Sequence, residues 1–427
     1  MRLRIDNFGK IKSADISWDG LTVVTGRNDT GKSTVGKLFF AINKSLSEHK
    51  AIYIENLGSA IPVISTIVIK SCLRDPDCSN LFSDDVVQRM REFIGNTSLR
   101  DTNFLLLDDL RRIQVIELLE AVCDGLQRKK ENRFEDVLRK LIEQMKEPID
   151  DSVTFHYSVD RVMSDSFGER FNNSLHTEEE AKINFQLVDG IENICISSFK
   201  NQLKISPVEI SDKNPFFQDI TFIETPFIVD ERFLKKEISS FNATDDLQRK
   251  LREIRSGRKE LDVLGNLGDI RSVLGNATID VDREKKAFIY KVSREGQPLP
   301  LMDVASGAKS WGLLSLLLQS NIVSPDAPLI LDEPENHLHP EWQIAFAKFI
   351  AQLVEKGIRV LLTSHSPTFI HALIKSSLSD DGFVKGTHFY LAEDVGENFS
   401  VIRDVTNSTH KIFDDLSKPV ERLWQEE

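Results

Sequence analysis

Gly26-Arg27-Asn28-Asp29-Thr30-Gly31-Lys32-Ser33 stands between a short β-branched run, residues 21–25, and an apolar-periodic stretch, residues 34–45. The octapeptide fits G-x-x-x-x-G-K-[ST], and the strand before it and helix after it are the setting that pattern needs. Its glycines let the backbone curl around a phosphate, with N–H groups converging at the positive end of the helix dipole. In this arrangement Gly26, Arg27, Asn28, Asp29, Thr30, Gly31, Lys32, Ser33 and Thr34 hold the nucleotide. Lys32 reaches the β- and γ-phosphates, and the Ser33 hydroxyl ligates Mg²⁺. The stretch predicts a nucleotide-binding α/β fold.

Toward the N-terminus, residues 2–5 alternate polar and apolar, residues 14–17 can pair with them, and Asp19-Gly20 turns the chain into the strand before the loop. Beyond the loop, residues 46–147 read as mostly helical. Leu110, Ile113, Ile116, Leu119 and Leu126 recur near helical spacing, and Val137, Leu138, Leu141 and Ile142 repeat the theme. Pro148 and Asp150-Asp151 close that stretch. Strands are expected over 153–159, 183–188 and 219–223, a charged helix over about 244–264, and a hairpin over 278–293. From Ser306 onward, short apolar runs (329–331 and 358–363) alternate with helices (307–322 and 341–355), the pattern of parallel β/α units. The expectation is one doubly wound core made of residues 1–45 and 300–405. A helical insertion, 46–150, and a β-rich arm with a charged helix, 151–299, belonging to the insertion or the core, lie between its halves. Residues 386–403 read as closing strands, and 406–427 as a helical tail.

Ala327-Pro328-Leu329-Ile330-Leu331-Asp332-Glu333-Pro334 is an apolar strand ending in two acids. A parallel sheet delivers carboxylates to a phosphate site at its carboxyl edge in this way. Asp332 there holds Mg²⁺, and Glu333 orients and polarises the attacking water. Alone, the same residues would simply end a strand; the phosphate loop upstream favours the catalytic reading. Leu361-Leu362-Thr363-Ser364-His365 is a further buried strand. Its histidine is placed to hydrogen-bond a γ-phosphate, and equally to cap the helix that starts near Pro367. Ser306-Gly307, at a helix start, offers a hydroxyl and free N–H groups to an anion, or serves as a plain N-cap.

The order of these segments resembles that of ABC-type P-loop ATPases of the SMC and OLD-like branch. The run Glu335-Asn336-His337-Leu338-His339-Pro340-Glu341-Trp342-Gln343 looks like that family's "DEPE-x-HLHP-x-WQ". The resemblance covers about residues 1–45 and 300–375. It implies an α/β, ABC-type core with a mixed or parallel sheet flanked by helices, and hydrolysis of ATP with Mg²⁺. Glu333, His365 and Lys32 then carry catalysis, and Ser33 and Asp332 the metal. Ser306, Gly307 and Lys309 align with the signature motif, the residues from Asn336 to His339 with the D-loop, and His365 with the switch position. Ala308 and Lys309 depart from the family's glycine and amide there. Gln186 is a candidate for the Q-loop glutamine. The family's sites form when two cores meet head to tail, which implies a homodimer or higher homo-oligomer. Relatives include stand-alone ATPases of prokaryotic anti-phage systems. The stretch after His365 is short and lacks the clustered carboxylates of the OLD nuclease domain, so an effector nuclease or toxin is expected on a separate chain.

The 427 residues carry a net charge of −13, which argues against indiscriminate nucleic-acid binding. A local exception is 248–259, where Arg249, Lys250, Arg252, Arg255, Arg258 and Lys259 face only Glu253. This run suits a DNA or RNA backbone, which would make the chain an SMC-like repair or recombination ATPase. It suits better a solvated helix face or a dock for an acidic partner. The helical stretches are too short for the long heptad arms of condensing SMC proteins. No apolar run approaches a membrane span, and residues 1–5 enter a strand rather than a signal peptide. Cys72, Cys78, Cys123 and Cys195 form neither a disulfide framework nor a zinc pattern. A cytoplasmic protein without a membrane partner is expected.

Overall fold

The computed structural model describes residues 1–95, 109–129, 132–146, 151–186, 193–206, 217–230, 240–257, 278–282, 284, 287–291, 297–379 and 382–425. β1 (Arg2–Phe8) and β2 (Ile11–Ser17) bury alternate residues, as a sheet with one solvated face requires. β3 (Leu21–Gly26) is buried along its whole length, because its β-branched residues sit inside a covered sheet. α1 (Lys32–Ser47) follows the phosphate loop and buries Val35, Leu38, Phe39, Ile42 and Leu46 at helical spacing.

The chain then leaves for a helical unit, Glu48–Ser158, and returns. Its helices are α2 (His49–Arg74), α3 (Asp84–Gly95), α4 (Asp109–Lys129), α5 (Asn132–Lys146) and the first part of α6 (Asp151–Phe167). It has its own apolar core, including Val68, Ile69, Met90, Leu119, Val122 and Leu138. The strand expected over 153–159 is a correction: those residues belong to α6. Val153, Phe155, Tyr157 and Val159 alternate by chance. The buried set, Thr154, Phe155, Ser158, Val159, Val162 and Met163, follows the i, i+4 spacing of a helix.

The second compact unit combines Met1–Ser47 with Val159–Glu427. It adds β4 (Ala181–Gln186), β5 (Asn193–Phe199), β6 (Gln202–Ile205), β7 (Thr221–Ile223), α7 (Ala243–Arg255), β8 (Thr278–Asp282), β9 (Ala287–Lys291) and β10 (Leu299–Pro300). There follow α8 (Ser306–Gln319), β11 (Leu329–Asp332), α9 (Pro340–Glu355), β12 (Val360–Ser364) and α10 (Pro367–Ser376). The chain ends with β13 (Leu378–Ser379), β14 (Gly382–Phe383), β15 (His388–Gly396), β16 (Phe399–Asp404) and α11 (His410–Gln425). The ends of the strand, charged helix and hairpin expected at 187–188, 258–264 and 292–293 lie outside the described residues.

Among the described residues one mixed sheet has eleven strands in the order β6-β5-β4-β1-β2-β16-β15-β3-β12-β11-β7. From β15 to β7 all pairings are parallel. The opposite half is antiparallel except where β16 meets β2. Within the β-rich stretch, β4 to β7 are strands of the core sheet. Residues 386–403 do not close its edge; β15 and β16 lie in its middle, next to β3. Helices α8, α9 and α10 cover the parallel half around Trp311, Phe346, Phe349 and Phe369. No helix of the described residues is long and apolar enough to cross a membrane.

Candidate nucleotide site

The phosphate loop joins β3 to α1 at the carboxyl edge of the parallel strands. Three backbone positions have left-handed φ: Gly26 at +138°, Asp29 at +65° and Gly31 at +82°. A Cβ on Gly26 would lie 2.5 Å from the Ala392 carbonyl oxygen, so only glycine lets β15 run this close. The Thr30 hydroxyl donates to the Arg27 carbonyl at 2.8 Å, and Ser400 Oγ donates to the Thr30 carbonyl at 2.7 Å. These two bonds hold the curve of the loop from within the chain. The loop opens onto a cleft of about 480 Å³ lined by every residue from Asn28 to Thr34. Gly26 and Arg27 do not line it. The Arg27 guanidinium turns away to Asp415 of α11, 3.3 Å distant, and only its carbonyl serves the loop. Lys32 Nζ donates to that carbonyl at 2.6 Å and lies 3.7 Å from Glu333 Oε1.

Strands β11 and β12 pair in register, Asp332 opposite Thr363, which brings the acids to the loop. Asp332 Oδ1 accepts from Ser33 Oγ at 2.9 Å and from Thr363 Oγ1 at 2.5 Å. Burial raises the Asp332 pKa against these two hydroxyls, and the Glu224 and Glu333 charges add to the rise. Glu333 sits at φ +46°, a costly conformation for this residue, held by N–H bonds to the Thr363 carbonyl and hydroxyl. Its carboxylate accepts from the Asn336 amide at 3.1 Å and lies 3.1 Å from His365 Nδ1. Burial acts to raise its pKa, but Asn336, His365 and Lys32 together lower it below the usual range. Lys32 is shifted down by burial, which outweighs the neighbouring Glu333, Asp332 and Glu335. The structure therefore gathers Lys32, Ser33, Asp332, Glu333 and His365 at one spot.

The oxygen donors fit Mg²⁺: a serine hydroxyl and a buried carboxylate meet beside the phosphate loop, and a bound cation would relieve the burial of Asp332. Mg²⁺ there would neutralise charge on the phosphate oxygens.

Several residues escaped sequence reasoning. Glu335 is buried, and its Oε1 accepts from Ser364 Oγ at 2.6 Å and from the His365 and Ser366 N–H groups at 3.1 and 3.3 Å. It fixes the backbone that carries His365. Glu224 follows β7, level with Asp332 by the register of Ile223 with Leu331, and pairs with Lys37 at 2.9 Å. Arg170 lies exposed at the rim of the cleft, on a loop anchored by Asn172. Neither Glu224 nor Arg170 has a local motif, and only the fold brings them here. Gln186 is not near the cleft. It pairs with Arg2, while Phe8 at the other end of β1, about 20 Å away at a strand's rise, lines the cleft.

Ser306 and Gly307 start α8, whose N-cap is Ala305, without a side-chain cap. Lys309 requires a correction. Its ammonium is buried and donates to Asp230 Oδ1 and Oδ2 at 2.9 and 3.0 Å, so it does not present itself to a phosphate. The basic run is also largely committed inward. Lys250 is buried among the Ile220 carbonyl, Asp219 and Asp246, and Arg249 lies over the Phe241 ring. Arg252 and Arg255 are half-buried, and Arg258 and Lys259 lie outside the described residues.

A profile of the AAA ATPase domain matches residues 1–370. A comparison with curated proteins gives no match. Among solved structures the chain is similar to an SMC head domain from Thermotoga maritima, at 11% identity and a TM-score of 0.38, covering 95% of this chain and 98% of that one. It is similar also to an Smc head bound to the C-terminal winged-helix domain of ScpA, at 11% identity and a TM-score of 0.40, covering 96% and 98%. Likeness of this degree carries no argument about function. The profile, spanning most of the chain together with Lys32, Ser33, Asp332, Glu333 and His365, places the protein in the AAA ATPase domain family, as an ATPase.

Proposed function

We propose that two copies of this chain close head to tail around ATP, and that hydrolysis opens them again. The observation that carries this reading is the start of α8. Its first-turn N–H groups have no side-chain cap, and no residue from Ser306 to Lys309 lines the chain's own cleft. A helix start of this kind suits the terminal phosphate held by a second copy. In each composite site Lys32 and Arg170 would supply positive charge to the triphosphate, with Ser33 and Asp332 positioned for Mg²⁺. Glu333, kept ionised by Asn336, His365 and Lys32, takes the proton of the attacking water, while His365 reports the γ-phosphate.

Complementation tests the reading. Lys32→Ala and Ser306→Arg chains should each be nearly inactive, and mixing them should restore turnover through the one intact site of the mixed dimer. With Glu333→Gln, ATP should shift the mass in light scattering from one copy to two. No recovery on mixing, together with no mass shift, would sink the proposal.

The use of the switch rests on the resemblance of 335–343 to the OLD-like branch. The ATP-closed dimer would scaffold a separate nuclease or toxin in defence against phage. Co-purification of Glu333→Gln with the products of neighbouring genes tests this. Direct nucleic-acid binding by 248–259 has weaker support, since Arg249 and Lys250 already have inward partners.

A further inference from the structure

Lys309 is a buried ammonium one turn into α8, and Asp230, its partner, is as well buried. A buried ion pair is poor evidence for stability, because apolar side chains of the same size often serve as well or better. What it supplies is a defined geometry, and here it joins three pieces of the site. Asp230 ends the short helical turn Pro226–Val229, whose Ile228 and Val229 pack in one core with Leu313 and Leu314 of α8. The Phe227 ring of that turn lies 5.4 Å from Lys309 Nζ and meets the His337 ring edge-on at 5.4 Å. The same segment begins at Glu224, level with Asp332 and tied to α1 through Lys37. Between it, α8 and the residues from Asp332 to His337 lies a pocket of about 80 Å³.

We propose that Lys309 and Asp230 are a positioning pair. They bolt residues 224–230, which leave the nucleotide edge of the sheet, onto the first turn of α8. The placement of Ser306 and Gly307 toward the second copy is thereby set by the state of the chain's own Asp332 edge. This role rests on the head-to-tail reading above. Gly307 fits the same picture: a Cβ there would meet the Trp342 ring at 3.0 Å, so the turn is tightly seated on its other side.

The test uses full-length chains. Asp230→Asn and Lys309→Met are made singly and together, and kcat and the Kd for a fluorescent ATP analogue are measured. Each single variant should lose about tenfold or more in kcat with Kd little changed, and the double should be no worse than the poorer single. In the complementation mixture, Asp230→Asn should abolish recovery on the Lys32→Ala chain, which donates the α8 turn. It should be tolerated on the Ser306→Arg chain, which donates the phosphate loop. If Asp230→Asn keeps wild-type kcat while Lys309→Met does not, Lys309 acts on nucleotide directly and the pair is overturned. Equal loss on both chains, with weakened ATP binding and a lowered melting temperature, would mean a merely structural pair and overturns it too. If the parent mixture itself does not recover, the dimer reading falls, and the pair's role with it.

Discussion

At Thr363 one hydroxyl holds two working residues, donating to Asp332 Oδ1 and accepting the Glu333 N–H. Thr363→Val keeps the shape of a buried strand residue and removes both bonds. The bond to the Asp332 carboxylate alone is worth about 1.5–3 kcal/mol, so kcat should fall by roughly one to two orders of magnitude. A steady-state assay with a melting curve checks this, and an unchanged kcat would show that the backbone places the acids unaided. Asn336 gives a pH prediction. Its amide favours ionised Glu333, so Asn336→Ala should raise that pKa and move the acid limb of the kcat profile to higher pH. A limb that stays in place would remove Glu333 from the general-base role.

Among the elements, α7 was expected to show its charges outward, and instead docks through them. Asp246 lies 2.6 Å from Lys44 of α1 and 2.8 Å from Lys250, with Asp219 completing the cluster. Burial opposes ionisation, but the two ammoniums prevail and hold Asp246 at about 2, against 3.8 for a free carboxyl. Its folded value is depressed, so its stabilisation is full above about pH 4 and is lost as pH falls toward 2, a contribution of order 2 kcal/mol. Asp246→Asn should destabilise the fold at neutral pH by about 3–5 kcal/mol, since it leaves two buried ammoniums short of charge. It should also flatten the acid dependence, as denaturant titrations from pH 2 to pH 7 would record. A basic run in a sequence reads the same whether its cations face water or buried acids, and this one was decided by the acids of Asp219 and Asp246.

For the whole molecule, the head-to-tail reading predicts that kcat per chain rises with protein concentration and then levels, as sites form only between copies. Constant specific activity across the dilution series would favour a site complete within one chain. Glu333→Gln should remove turnover, by about two to four orders of magnitude, without weakening ATP binding. Equilibrium binding beside the kinetic assay separates the two.

How much could be read in advance follows from the range of each interaction. The phosphate loop, β11 with its acids and β12 with its histidine were legible because strand, turn and helix signals there are local and mutually consistent. At residues 153–159 alternation and helical spacing coincided, and burial at i, i+4 settled which one the chain uses. Gln186 fell at the wrong end of β1, since a strand's polarity in the sheet depends on pairings far along the chain. By itself the sequence determined the elements around the phosphate loop and the ATPase class of the chain. Only the tertiary structure decided that β15 and β16 sit mid-sheet, that Glu224 comes level with Asp332 and Arg170 reaches the cleft, and that Lys309 turns inward to Asp230. The physical reason is that local pattern sets which face of an element is apolar. A side chain's partner is set by strand order and by the energetic demand that every buried charge be paired, and both are properties of the assembled fold.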